Sequence, residues 1–166
     1  MHITAQARFD ADPARVSAML ADEAFVAAKV RASGALSQTV SVVGRADEAF
    51  TVTTRRQMPT AEVPAQFRSL VGQSLEVRQV EAWEAPSGNT RAGTVVVEVT
   101  GAPVRMTGTM HLEGTPQGTV VRFDGALKAS VPLFGSVVEE ATARALRTAI
   151  AAEERAGAEW LASTAP

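Results

Sequence analysis

The sequence predicts an α+β fold in which one antiparallel sheet of seven strands wraps around a long C-terminal helix. Three observations carry this. Segments of polar–apolar alternation recur along the chain, from HITAQARF (2–9) to VRMTGTMHLEG (104–114). Two short capped helices interrupt the strands immediately after the first one. From Ser136 almost to the end, apolar residues recur at helical spacing.

The first strand puts Ile3, Ala5, Ala7 and Phe9 on one face and His2, Thr4, Gln6 and Arg8 on the other, because strand side chains alternate. Asp12 is a helix N-cap with Pro13 at the first helical position, and Val16, Met19 and Leu20 form that helix's apolar side. Asp22 caps a second helix that ends near Ser33 and Gly34, with Phe25, Val26 and Val30 on its apolar side. LSQTVSVV (36–43) and AFTVTTRR (49–56), joined by GRADE, read as a hairpin. The prolines of QMPTAEVPAQFRSLVG exclude a central strand, and Val63, Phe67, Leu70 and Val71 predict a short helix over Ala65–Val71.

QSLEVRQVEAWEA is a strand, PSGN a turn, and TRAGTVVVEVTG the next strand. In VRMTGTMHLEG, Val104, Met106, Gly108, Met110 and Leu112 share a face. In TVVRFDGALKASV, Val121, Phe123, Gly125, Leu127, Ala129 and Val131 do so. Pro132 closes that strand, Gly135 permits a bend, and Ser136 is read as the cap of the terminal helix. On the helical wheel Val138, Ala141, Ala145, Ala149, Ala152, Ala156 and Trp160 form one stripe, expected to face the sheet.

A chain of 166 residues fits one domain, expected to span residues 1–163. The net charge of −2 gives no global field for nucleic acid or an anionic membrane, and Arg55–Arg56 is too short a basic run for nucleic acid. Cysteine is absent, which removes disulfides and thiolate chemistry. No apolar run approaches the ~20 residues of a membrane span. MHITAQARFDADP has no basic segment leading into an apolar one, so a cytoplasmic protein, monomeric or homodimeric, is expected.

The first strand followed by DADPARVSAMLADEAF, then VRMTGTMHLEG…GTVVRFDGALKASVPLFG and the long terminal helix, resemble the helix-grip START and Bet v 1-like (polyketide cyclase/SRPBCC) superfamily. GALSQTV, TTRRQMPTAEVP and GAPVRMTGTMHLE resemble more closely an uncharacterised actinobacterial branch of it. The resemblance implies a cavity between sheet and terminal helix, with the second short helix, carrying Phe25 and Val30, beside the entrance. Folds of this kind host carriers, enzymes and partner-binding proteins, so fold alone does not choose among them.

The residues narrow the choice. Small side chains on the helix, among them Ala141 and Ala145, and Gly108 and Gly125 on the sheet, permit either close approach or an open void. Met58, Met106 and Met110 suit an adaptable pocket or an ordinary core. Gln79 and Glu81 share a face with Leu75, Val77 and Trp83, and Thr54 and Arg56 share one with Phe50 and Val52. Arg56 and Glu81 are expected either to pair inside a cavity or to reach water at its rim.

His2 and His111 lie on polar strand faces. No metal or cofactor is expected, and no nucleophile elbow or phosphate loop occurs. The leading expectation is a binding protein for a hydrophobic small molecule or lipid, held by Phe25, Val30, Arg56, Gln79, Glu81, Met106, Gly108, Met110, Phe123, Ala141 and Ala145. An enzyme of cyclase or dehydratase type would instead use Glu81 as a base of raised pKa, with Arg56 polarising a carbonyl. A closed core with an exposed apolar patch would mark a partner-binding protein.

Overall fold

The computed structural model describes residues 1–61 and 63–165, apart from the side chain of Leu70. Seven antiparallel strands form one sheet: β1 (His2–Phe9), β2 (Ser37–Gly44), β3 (Phe50–Pro59), β4 (Ser74–Trp83), β5 (Thr90–Val99), β6 (Val104–Thr115) and β7 (Gly118–Ala129). Their spatial order is β1-β7-β6-β5-β4-β3-β2, so every neighbour from β2 to β7 follows in sequence and β1 closes the far edge against β7. Helices α1 (Pro13–Leu20) and α2 (Glu23–Ala32) follow β1, α3 (Ala65–Val71) links β3 to β4, and α4 (Gly135–Ser163) ends the chain. This is the helix-grip arrangement expected from the sequence.

The caps act as read. Asp12 Oδ1 accepts from Arg15 N at 2.9 Å, and Asp22 Oδ1 accepts from Ala24 N at 2.8 Å and Phe25 N at 3.2 Å. Gly34, at φ 92°, takes the left-handed turn out of α2. Ser136 is not the cap of α4: the helix begins at Gly135, after Phe134, with no side-chain cap bond. Glu139 instead ties this end to the sheet, accepting from Ala129 N at 3.1 Å and from the terminal ammonium of Met1 at 3.3 Å.

The core lies between the concave face of the sheet and the helices. Ile3, Ala7 and Phe9 of β1, Met106, Met110 and Leu112 of β6, and Val121 and Leu127 of β7 are buried there, with Val16, Met19, Leu20, Phe25 and Val26 from α1 and α2. α2 lies against β2, and α4 against β1 and β7, so the two helices together close the open side of the sheet. Gly157 lets α4 cross β1 closely, since a Cβ there would collide with the Phe9 ring.

The alanine stripe is only part of the buried face of α4: Ala152 is buried and Val138, Ala156 and Trp160 pack against the core. Ala143, Ala152, Glu153, Gly157 and Leu161 are buried, Leu146 and Ile150 pack beside them, and Ala145 is exposed. The inward face thus extends from the predicted stripe around the helix to Leu146, Ile150 and Leu161.

Candidate functional site

Gln79 and Glu81 on β4 face α4 because their strand alternates about buried Trp83. Thr54 and Arg56 on β3 do so because theirs alternates about buried Phe50 and Val52. Pairing sets Thr54 opposite Gln79 and Val52 opposite Glu81, which brings Arg56 diagonally within reach of Gln79. Two charged residues absent from the sequence reading complete the group. Lys29 of α2 and Glu153 of α4 are 7% and 8% exposed, and both point into the same space.

Lys29 Nζ lies 3.2 Å from Glu81 Oε1 and 3.2 Å from Glu153 Oε1. Gln79 Nε2 donates to Glu81 Oε1 at 2.6 Å, and Trp83 Nε1 donates to Glu81 Oε2 at 3.4 Å. Arg56 Nη2 donates to Gln79 Oε1 at 3.1 Å, and Arg56 Nη1 lies 3.4 Å from Thr54 Oγ1. Arg56 and Glu81 are buried rather than reaching water, but they do not pair directly: Lys29 takes Glu81, and Gln79 bridges Glu81 to Arg56. Sheet, α2 and α4 are joined through one buried polar network.

The network sets the charges. Burial pushes Lys29 down, but Glu153 and Glu81 outweigh it and hold the ammonium above its usual value. Burial pushes Glu81 up, and the Lys29 charge with bonds from Lys29, Gln79 and Trp83 brings it below the usual glutamate value. Glu153 stays above that value, raised by burial and by Glu81 against the pull of Lys29. Glu81 is thus held ionised, so the raised-pKa base of the enzyme reading is not found at Glu81. Burial lowers the Arg56 guanidinium.

The other predicted residues are placed unevenly. Phe25 is fully buried, edge-on to Trp160 at 5.8 Å between ring centroids, and Val30 is buried beside Lys29. Met106 and Met110 are core residues. Phe123 and Ala141 are half-buried, and Ala145 faces outward. Gly108 does not leave a void: a Cβ there would sit 2.9 Å from Gly125 Cα on the paired strand, so the two glycines serve a close backbone approach. Arg91, also unforeseen, is buried over the Phe50 ring at 5.0 Å and donates to Ala46 O.

At the level of Glu81, side chains of Lys29 and Glu153 occupy the space where the resemblance implied a cavity. Beyond Arg56 the inner face is less covered. Met58, Leu75 and Val77, on the same face of the sheet, are only half-buried. Surface hollows of about 710, 730 and 370 Å³ lie elsewhere: on the outer face by Arg105 and Lys128, by Pro13 and Asn89, and at the seam of β1 with α4. Among the described residues no cluster of His, Cys, Asp and Glu is placed to hold a metal ion, and no helix is long and apolar enough to cross a membrane.

A sheet gripping one long helix defines the helix-grip, Bet v 1-like fold. Solved structures agree in fold. TTHA0849 from Thermus thermophilus superposes with TM-score 0.66 at 17% identity, covering 99% of this chain and 100% of that one. A protein from Rhodobacter sphaeroides gives 0.61 at 14%, covering 98% and 93%, and Ara h 8.0201 gives 0.54 at 13%, covering 99% of each. No curated protein matches the sequence. The chain belongs to the family described as "Protein of unknown function (DUF2505)", which it matches over residues 4–161.

The two missed charges left signals in the sequence. Lys29 shares helical spacing with Phe25, Val26 and Val30, which puts a lysine on an apolar face. Glu153 falls in the series Leu146, Ile150, Glu153, Gly157, Leu161, which keeps one face over four turns.

Proposed function

We propose that this protein is a small-molecule binding protein that holds an apolar or amphipathic ligand, lipid or polyketide-like, between the sheet and α4. The carrying observation is the position of Arg56. It stands at the boundary between a filled polar cluster and the half-buried apolar side chains of Met58, Leu75 and Val77. An apolar body laid on those side chains gains about 25 cal/mol per Å² removed from water. The few polar groups at its end then fix orientation. The likeness to Ara h 8.0201 supports the fold in which such a ligand is held, and no more. A cytoplasmic place and a monomer or homodimer belong to the same reading.

Native mass spectrometry of the protein purified without detergent tests it. An added mass that leaves on denaturation and is identified as a lipid or polyketide-like molecule is the expected result. A bare mass that stays bare after incubation with a library of lipids and metabolites overturns the reading.

A further inference from the structure

The buried charges are unequally committed. Lys29 lies 3.2 Å from each of two carboxylates. Glu81 is bonded by Lys29, Gln79 and Trp83. Arg56 is different: its two bonds run to neutral oxygens, those of Gln79 and Thr54, and the second is long at 3.4 Å. Among the described residues no carboxylate forms an ion pair with it. A guanidinium carries five N–H donors in a planar fork that matches a carboxylate. At 9% exposed, Arg56 is not a surface side chain with its head in water. Glu81 and Glu153 balance its charge only at a distance, and a ligand carboxylate would supply the direct charge-assisted contact it lacks.

The surroundings are equally specific about charge. Facing the site are Arg56 and Thr54 from β3, Gln79, Glu81 and Trp83 from β4, Lys29 from α2 and Glu153 from α4. With all four ionisable groups charged, the two cations balance the two anions. A bound carboxylate would add a third buried anion, and protonating a glutamate relieves it. Glu153 is the one that yields, because Lys29 is its single described bonding partner whereas Glu81 has three donors.

We propose that the ligand is an amphipathic carboxylic acid whose carboxylate docks on Arg56, and that binding is accompanied by proton uptake at Glu153. This rests on the ligand-holding reading above. Burial and the neighbouring Glu81 already hold the Glu153 carboxyl above the usual glutamate value, which favours that uptake.

The test is calorimetric titration of the wild-type protein with dodecanoic acid and with dodecanol, each in buffers of different ionisation enthalpy and at mildly acidic and mildly alkaline pH. The acid is expected to bind about ten- to a hundredfold tighter than the alcohol, the range for a hydrogen-bonded charge. It should bring up to about one proton with it and weaken toward alkaline pH. Arg56→Gln should remove the preference for the acid and Arg56→Lys keep part of it. Glu153→Gln should keep acid binding and lose the proton uptake. Equal affinity for acid and alcohol in the wild-type protein overturns the carboxylate inference while leaving the ligand reading in place. Tight acid binding with no proton uptake overturns the Glu153 part. Binding of neither probe overturns both. The wild-type comparison decides the carboxylate even if the Arg56 variants fail to fold.

Discussion

Lys29 on α2 and Glu153 on α4 meet at 3.2 Å inside the protein, and Glu81 of β4 meets the same ammonium at the same distance. One cation thus joins the three elements that enclose the candidate site. A buried ion group of this kind adds little net stability against an apolar replacement, but removing one member leaves the others uncompensated.

Lys29→Met should therefore destabilise the fold by about 3–5 kcal/mol, because two glutamates would then face each other in the interior. Adding Glu81→Gln and Glu153→Gln to that variant should recover much of the loss. Urea denaturation checks this. A Lys29→Met variant as stable as wild type would remove Lys29 from the centre of the network.

The two glutamates have opposite pH linkage. Glu81 is held below its ordinary value, so its contribution is present above the unfolded-state pKa and is lost as pH falls through the folded value. Glu153 is held above its ordinary 4.5, so its contribution is present below that and is lost as pH rises through the folded value. Glu153→Gln should flatten the fall in Tm as pH rises above 4.5, and Glu81→Gln should flatten the fall on the acid side. Thermal melts across that range read both slopes. Unchanged slopes in the two variants would contradict the assignment.

Gly108→Ala is expected to cost about 1–3 kcal/mol, the range for overpacking. The added Cβ meets the backbone of Asp124 and Gly125, which cannot rotate away as a side chain would. A chemical melt gives the number. A neutral substitution would mean that the strands part easily here and that the glycine does leave room.

Phe134→Ala should loosen α3. Phe67 of that helix packs edge-on against Phe134 at 5.2 Å, and an aromatic pair contributes about 0.5–1.5 kcal/mol beyond its buried area. Amide exchange over 65–71 should quicken up to about tenfold, with exchange in β6 and β7 unchanged. Uniform quickening would show that Phe134 supports the whole fold.

The strands were legible because one face of each is buried or, in β2, partly covered, so polar and apolar residues alternate, most cleanly in β6 and β7. Both short helices were legible from Asp12, Pro13 and Asp22. The terminal helix was legible as a helix but only partly in its inward face, since Ala152, Ala156 and Trp160 of the stripe pack inward while the adjoining Leu146–Ile150–Leu161 face was not foreseen. Arg56, Gln79 and Glu81 were found because they break strand alternation on an apolar face. Lys29 and Glu153 were not, because charged residues on helices ordinarily face water, and only the convergence of α2, α4 and β4 shows that these two do not. Arg91 shares the inward face of Val95 and Val97, a clue of the same kind as Arg56.

The central claim is that the ligand sits against Arg56 and the cluster beside it. Side-chain nitrogen NMR during titration with dodecanoic acid tests this most directly. The Arg56 guanidinium and the Trp83 indole N–H, which donates to Glu81, are predicted to shift together and saturate, while Arg105 on the outer face of the sheet stays still. Saturable binding that moves Arg105 and leaves Arg56 and Trp83 unchanged would contradict the account.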